Sequence, residues 1–243
     1  MITPWIPDYS TGKTAKLAIF DLDNTLLGDD SDVLWGRFLV ENKLVDVTHY
    51  ERENERFYEA YKAGTLDIYE FLAFALEPLA RIPLDQLLNL RQRFLQEKIE
   101  PVMLAASKTL LDLHRQHGHC LLIITATNEF ITRPIAERLG VHDILATKPE
   151  MAKGQYTGQV EGTPCFQEGK VERLKDWLAH HNWDFEKTWF YSDSVNDAPL
   201  LCNVDHAVAV DPDPRLQTLA EEKSWPVLSL RQPLDDISQL KLG

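Results

Sequence analysis

The feature that most constrains this chain is an apolar run of four, Leu17, Ala18, Ile19 and Phe20, that ends abruptly in Asp21-Leu22-Asp23-Asn24-Thr25. The run is too short and too uniformly apolar for a surface helix, so it reads as a strand buried on both faces of a parallel sheet. Asp21 and Asp23 lie two residues apart. If the pleat persists, both carboxylates leave the same face at the strand's carboxyl end. Two carboxylates held together repel unless a cation, a proton or hydrogen-bond donors compensate, and Asn24-Thr25 supplies the turn chemistry that opens a strand into a loop.

Further along the chain the pattern changes. From Val33, and again over Tyr50–Tyr61 and Ile68–Leu79, apolar residues recur at spacings of three and four with charges between them. Breaks fall at Asn42-Lys43, Gly64-Thr65, Pro78–Pro83 and Glu100-Pro101, with Thr48, Thr65 and Asp67 near the expected helix starts. The pattern predicts about four helices between residues 29 and 107, with Trp35, Phe38, Phe57, Tyr58, Tyr61, Tyr69, Phe71 and Phe74 as bundle core. Strand and helix patterns then alternate. Lys108–His117 is helical, Cys120–Thr125 is a second buried strand, and Phe130–Leu139 is helical up to Gly140. Tyr156–Val160 belongs to a hairpin, Gly169–His180 is a helix, and Thr188–Tyr191 is a third apolar strand. That strand closes in Ser192-Asp193-Ser194-Val195-Asn196-Asp197; Asp205–Val210 and Val227–Leu230 flank a last helix near Leu216–Lys223. The expected fold class is α/β, a doubly wound parallel sheet. Its core is formed by residues 1–28 and 108–243, with a helical cap inserted at 29–107.

Parallel sheets bind ligands at the carboxyl ends of their strands, where this order places Asp21, Asp23, Thr125, Asp193 and Asp197. Four carboxylates at one edge call for a hard cation, and an oxygen-only set without neighbouring histidine or cysteine favours Mg²⁺ over zinc. One carboxylate then serves as a nucleophile toward phosphorus and a second exchanges protons with the leaving oxygen. Thr125 is placed to hold phosphoryl oxygens. So is Lys170, which follows Gly169 at a helix start where backbone amides face an anion.

Other readings are weaker. A net charge of −13 over 243 residues offers no counter-charge to nucleic acid or to an anionic membrane, so neither is an expected partner. Three widely spaced cysteines suit free thiols in a reducing cytoplasm, and the N-terminal residues carry no basic flank followed by an apolar core. Gly12-Lys13-Thr14 imitates the end of a phosphate-binding loop, but Pro7 stands where that loop needs glycine and the triplet precedes its strand. His114, His117 and His119 straddle Gly118, as do charged histidines at a helix C-terminus, and His180-His181 reads the same way.

Taken together, D-L-D-N-T-L-L, I-I-T-A-T, G-K-V-E-R-L and Y-S-D-S-V-N-D-A-P-L-L, in that order over residues 17–210, resemble the four motifs of the haloacid dehalogenase superfamily, in the branch of phosphoserine phosphatase. The resemblance implies that Asp21 attacks phosphorus and that Asp23 is the general acid and base. It also implies that Thr125, Lys170 and Asn196 bind the phosphoryl group, and that Asp21, Asp23, Asp193 and Asp197 bind Mg²⁺. The chain departs from the usual pattern at Ser192 and Ser194, where relatives carry glycine, and at Ala126. The resemblance implies substrate selection by an acidic residue near Asp29, Asp30 and Asp32, with Asp30 at the matching spacing. A cap arginine would meet a substrate carboxylate, the candidates being Arg37, Arg52 and Arg56. Phosphoserine and histidinol phosphate are equal expectations, for a cytoplasmic monomer or homodimer acting on a small phosphomonoester. The alternatives are a phosphotransferase or mutase on the same scaffold, or a non-catalytic phosphate-binding protein.

Overall fold

The computed structural model describes residues 15–234, Leu240 and Leu242; the Gly12–Thr14 triplet lies outside them. Among the described residues the sheet has six strands, all parallel. β1 is Lys16–Phe20, β2 Cys120–Asn128, β3 Asp143–Thr147, β6 Lys187–Ser192, β7 His206–Val210 and β8 Val227–Leu228, in the order β3-β2-β1-β6-β7-β8. β1 is central because its four apolar residues are wholly buried and can face neither solvent nor a sheet edge. In register, Phe20 lies beside Ile123 of β2 and Tyr191 of β6. The residues that follow all three therefore emerge at one edge, on either side of the point where the strand order reverses.

Helices cover both faces. α7 (Glu168–His181), α8 (Ala198–Leu201) and α9 (Pro214–Lys223) contribute Leu174, Trp177, Leu200, Leu201 and Leu216 to a core with Leu17, Ile19 and Phe190. On the other face, α5 (Ala105–Gln116) and α6 (Glu129–Leu139) pack Leu110, Leu111, Phe130 and Ile131 against Ala18, Phe20 and Ile123.

Between β1 and β2 lie α1 (Ser31–Glu41), α2 (Val47–Ala63), α3 (Ile68–Arg81) and α4 (Leu84–Phe94), followed by a π-helical turn, Leu95–Ile99, and a 3₁₀ turn, Glu100–Val102. Asp30, Asp46 and Asp67 cap α1, α2 and α3 through their side chains. Thr48 and Thr65 cap nothing: Thr48 lies inside α2, and Thr65 follows the left-handed Gly64 that ends it. Pro78 does not break α3, which runs on to Arg81. α5 starts at Ala105, three residues ahead of the boundary expected at 108.

The inserted helices share one core with the sheet. Leu34, Trp35, Phe38, Leu39, Leu72, Leu76 and Phe94 belong to the same buried cluster as Phe20, Ile123 and Phe130. Phe57 is buried as expected, whereas Tyr58, Tyr61 and Tyr69 are exposed and are not core. A hairpin of β4 (Pro149–Ala152) and β5 (Gln155–Val160), turning at Lys153-Gly154 with both φ positive, leans on α3. There the Gln155 amide donates to the carbonyls of Leu79 and Ile82 and accepts from Leu84 N–H. β3 has no counterpart in the sequence reading, since Asp143-Ile-Leu-Ala-Thr147 offers only three apolar residues behind a charge. It forms as an edge strand paired to β2 alone.

His114 is not a charged helix-end histidine. It is fully buried, with Nε2 2.7 Å from the Tyr191 hydroxyl and Nδ1 2.8 Å from His119 Nδ1. Burial, then the neighbouring His119 and His117, holds its pKa down to about 3. The neutral ring thus contributes stability that is present above the unfolded value of about 6.5 and is lost as pH falls through that value toward 3. Asp21 and Asp32, raised to about 7, act with the opposite sign. The decisive quantity is therefore the difference between wild type and His114→Gln in urea unfolding at pH 7.5 and pH 5. Wild type should lose relative to the variant by about 2 kcal/mol between the two, at about 1.4 kcal/mol per pH unit below about 6.5. An equal change in both proteins would refute the neutral assignment.

Candidate active site

Lys170 stands at the centre of the strand-end edge. Gly169 allows it: a Cβ at 169 would lie 2.1 Å from the Pro164 carbonyl oxygen, so only glycine lets the preceding loop fold under the first turn of α7. The Lys170 Nζ donates to Asp21 Oδ1 at 2.9 Å and to Asp197 Oδ2 at 2.8 Å, with all three side chains buried. Burial works against the ammonium charge, but Asp197 and Asp21 outweigh it and hold Lys170 above its ordinary value. Burial pushes the Asp21 carboxyl up to about 7. Lys170 pulls it back, and Asp197 and Asp23 add to the rise.

The other side chains converge from different elements. Asp23 Oδ2 accepts from the hydroxyls of Thr125 (3.1 Å) and Thr127 (2.8 Å) at the end of β2, and Oδ1 accepts from Ser31 N–H (2.7 Å) at the start of α1. Asp193 Oδ1 accepts from Thr25 Oγ1 at 2.9 Å, and that hydroxyl takes the Asp193 N–H in return. Burial, then Asp21 and Asp197, pushes Asp193 well above its usual range. Ser192 Oγ donates to Asp197 Oδ2 at 2.7 Å and accepts from Ser194 N–H. The Ser194 hydroxyl meets Tyr61 of α2 at 2.9 Å and accepts from Asn196 N–H. Both serines thus make bonds to this loop that glycine could not. Gln167, with φ of 48°, donates from its amide to Asn196 Oδ1.

The structure brings Asp21, Asp23, Thr125, Lys170, Asn196, Asp193 and Asp197 to one edge, but their bonding separates the four expected metal ligands. Both oxygens of Asp197 are engaged by Lys170, and one of them also by Ser192. Both oxygens of Asp23 take donors. Asp21 and Asp193 each keep one oxygen without a side-chain donor among the described residues. Among those residues no three His, Cys, Asp or Glu side chains close on one point as a ready cage. Buried Asp21 and half-buried Asp193, each with a spare oxygen and the second raised in pKa by burial and by the first, fit a hard cation that keeps several of its waters, as Mg²⁺ does.

Arg52 and Arg56 do not belong to the site. They lie exposed on α2, where Glu53 pairs with both and Glu70 of α3 pairs with Arg56. Arg37 is also exposed. Asp30 serves as the cap of α1, accepting from the N–H groups of Asp32 and Val33. It remains electrostatically part of the edge: burial, then Asp23 and Asp32, pushes it well above the usual carboxyl range. Asp32 is pushed to about 7 by burial and then by Asp23. Sequence reasoning missed Thr25, Thr127, Ser192 and Tyr61. Thr127 was accessible, standing two residues after Thr125 on the same strand.

A family model for haloacid dehalogenase-like hydrolases matches residues 18–201, from β1 to the end of α8. The chain belongs to that family. Within it, the chain is 44% identical over 220 residues to a histidinol-phosphatase of Neisseria meningitidis serogroup C, covering 89% of this chain and 99% of the relative. It is 30% identical over 217 residues to the phosphoserine phosphatase SerB1 of Mycobacterium tuberculosis, covering 88% and 70%. Among solved structures, a protein of unknown function from Bordetella pertussis Tohama I superposes with a TM-score of 0.85 at 39% identity, covering 90% of this chain and all of that one. A phospho-aspartyl intermediate analogue of phosphoserine phosphatase shares the fold, with a TM-score of 0.66 at 19% identity over 91% and 96%. These relatives place the family member in the phosphoserine phosphatase-like branch of phosphatases.

The double ion pair of Lys170 yields a stability prediction. Lys170→Met leaves two buried carboxylates facing each other without a counter-charge. Unfolding in urea at pH 8 should show a loss of about 3–5 kcal/mol. A loss under about 1 kcal/mol would show that the ion pairs do not hold this edge together.

Proposed function

We propose that the protein is a Mg²⁺-dependent phosphomonoester hydrolase that works through an aspartyl phosphate on Asp21, with residues 29–107 acting as a cap over the site. Asp21 has the free oxygen that in-line attack requires, and Lys170 fixes the other. Lys170, Thr125 and Asn196 lie at the same edge and would hold the phosphoryl oxygens. Asp23, oriented by Thr125, Thr127 and Ser31, gives its proton to the leaving alkoxide; it then takes one from the water that attacks the aspartyl phosphate and so returns to its starting state. Asp21 and Asp193 would hold Mg²⁺, which when bound offsets the charge on the transferred group. Phosphate monoesters hydrolyse so slowly unaided that this positioning must supply on the order of 20 kcal/mol.

The observation that carries the substrate reading is the acidic wall beside Asp23. Asp30 and Asp32 stand there with raised pKa values, and among the described residues no arginine hydrogen-bonds or ion-pairs with any of the site's aspartates. Such a wall attracts an amine and offers nothing to a carboxylate. It favours histidinol phosphate over phosphoserine, in line with the name of the Neisseria relative.

Asp21→Asn should abolish Mg²⁺-stimulated hydrolysis of an aryl phosphate, and turnover retained by that variant would remove Asp21 as nucleophile. With the wild-type protein, kcat/KM for histidinol phosphate should exceed that for phosphoserine by at least ~100-fold, the equivalent of about 3 kcal/mol. The reverse order would overturn the substrate reading.

A further inference from the structure

Buried polar atoms in folded proteins nearly always have partners, so the exceptions need a cause. Among the described residues four buried side-chain polar atoms lack one, and three of them, Ser31 Oγ, Trp35 Nε1 and Asn128 Oδ1, belong to α1 and to the end of β2, two segments that touch. The three residues are 0%, 1% and 2% exposed. Ser31 and Trp35 are one turn apart on α1 and share a face of that helix. Asn128, at the end of β2, reaches α1 through Nδ2, 3.4 Å from Asp32 Oδ1. Two residues on, the Phe130 ring meets Trp35 edge-on at 5.9 Å. This junction adjoins the chemistry, since Ser31 N–H holds Asp23.

The donor and acceptor pattern is specific. Asn128 turns its NH₂ toward Asp32 Oδ1 and leaves its own Oδ1 as an open acceptor. The Trp35 indole N–H can only donate, and the Ser31 hydroxyl does either. A flat group that carries one N–H and one ring nitrogen lone pair satisfies the acceptor and the donor together. Asp32, beside them, suits a positive charge on the same molecule.

We propose that Ser31, Trp35 and Asn128 form the leaving-group subsite and read a neutral imidazole-like ring: Asn128 Oδ1 accepts its N–H, Trp35 Nε1 donates to its bare nitrogen, and Ser31 and Asp32 meet the adjoining polar and cationic groups. The assignment rests on the phosphatase reading above and adds to it which residues choose the ring. A site built around unpaired polar atoms rejects an analogue that lacks the matching group far more strongly than an apolar pocket rejects a change of size.

Two measurements test it. The first is the ratio of kcat/KM for histidinol phosphate to that for O-phosphoethanolamine, which keeps the amine but has no ring. In Trp35→Phe and Asn128→Ala that ratio should fall at least 10-fold. A ratio within 2-fold of wild type would overturn the assignment, as would a wild type that hydrolyses O-phosphoethanolamine at least as well. The second does not depend on turnover. In ¹⁵N spectra of the wild-type protein, histidinol should shift the Trp35 indole N–H resonance, identified by its loss in Trp35→Phe. An unmoved resonance at saturating histidinol would mean that water, not ligand, fills the junction. If Mg²⁺-dependent aryl phosphate hydrolysis fails while the indole resonance moves, the subsite stands and the phosphatase reading falls. If hydrolysis holds and the resonance stays, only the subsite falls.

Discussion

The Lys170 ammonium held between Asp21 and Asp197 is the interaction on which the rest of the site depends. It ties three segments that lie far apart in sequence, the end of β1, the start of α7 and the loop after β6, to one buried point. Without that charge, burying Asp21, Asp23, Asp193 and Asp197 at one strand edge would set repulsion against folding. With it, the carboxylates are sorted. Asp197 is consumed as a structural counter-ion, Asp23 is saturated by donors that aim it, and Asp21 and Asp193 keep the oxygens that chemistry needs. The lysine also fixes one oxygen of Asp21, the proposed nucleophile, so that carboxylate is oriented before any substrate arrives.

Much of this was legible in the sequence because the relevant signals are local. An apolar run that stops in polar residues is visible within ten residues: β1 and β6 stop in aspartates and β2 in the hydroxyl of Thr125. Lys170 was readable from its glycine and its helix start. The sorting of the carboxylates was not legible, because it depends on which oxygen faces which donor, some of them in neighbouring loops and others more than 100 residues away in the chain. Equal chemical candidates, such as Asp193 and Asp197, end with different roles for that reason. Arg52 and Arg56 show the other limit: spacing on a helix says how residues are arranged around it, not which face the fold turns inward. The short β3 escaped because three apolar residues are enough for an edge strand only when a neighbour such as β2 supplies the pairing.

Two departures from the usual family pattern acquire a physical reading. Ser192 and Ser194 stand where glycines are more common, yet neither takes a positive φ. Their hydroxyls instead knit the loop to Asp197 on one side and to Tyr61 of α2 on the other. The loop has exchanged backbone freedom for side-chain bonds, and in doing so it has gained a contact to the inserted helices.

Those inserted helices are not a separate body resting on the sheet. Their aromatic residues merge with Phe20 and Phe130 in one buried cluster, and Gln155, from the far side of the sequence, closes the gap between α3 and α4 with three hydrogen bonds. The consequence concerns modularity. Segment 29–107 is therefore not a free-standing cassette, because part of its interior is written elsewhere in the chain. A graft of that segment from a relative would have to bring its own partners for Phe130 and Gln155.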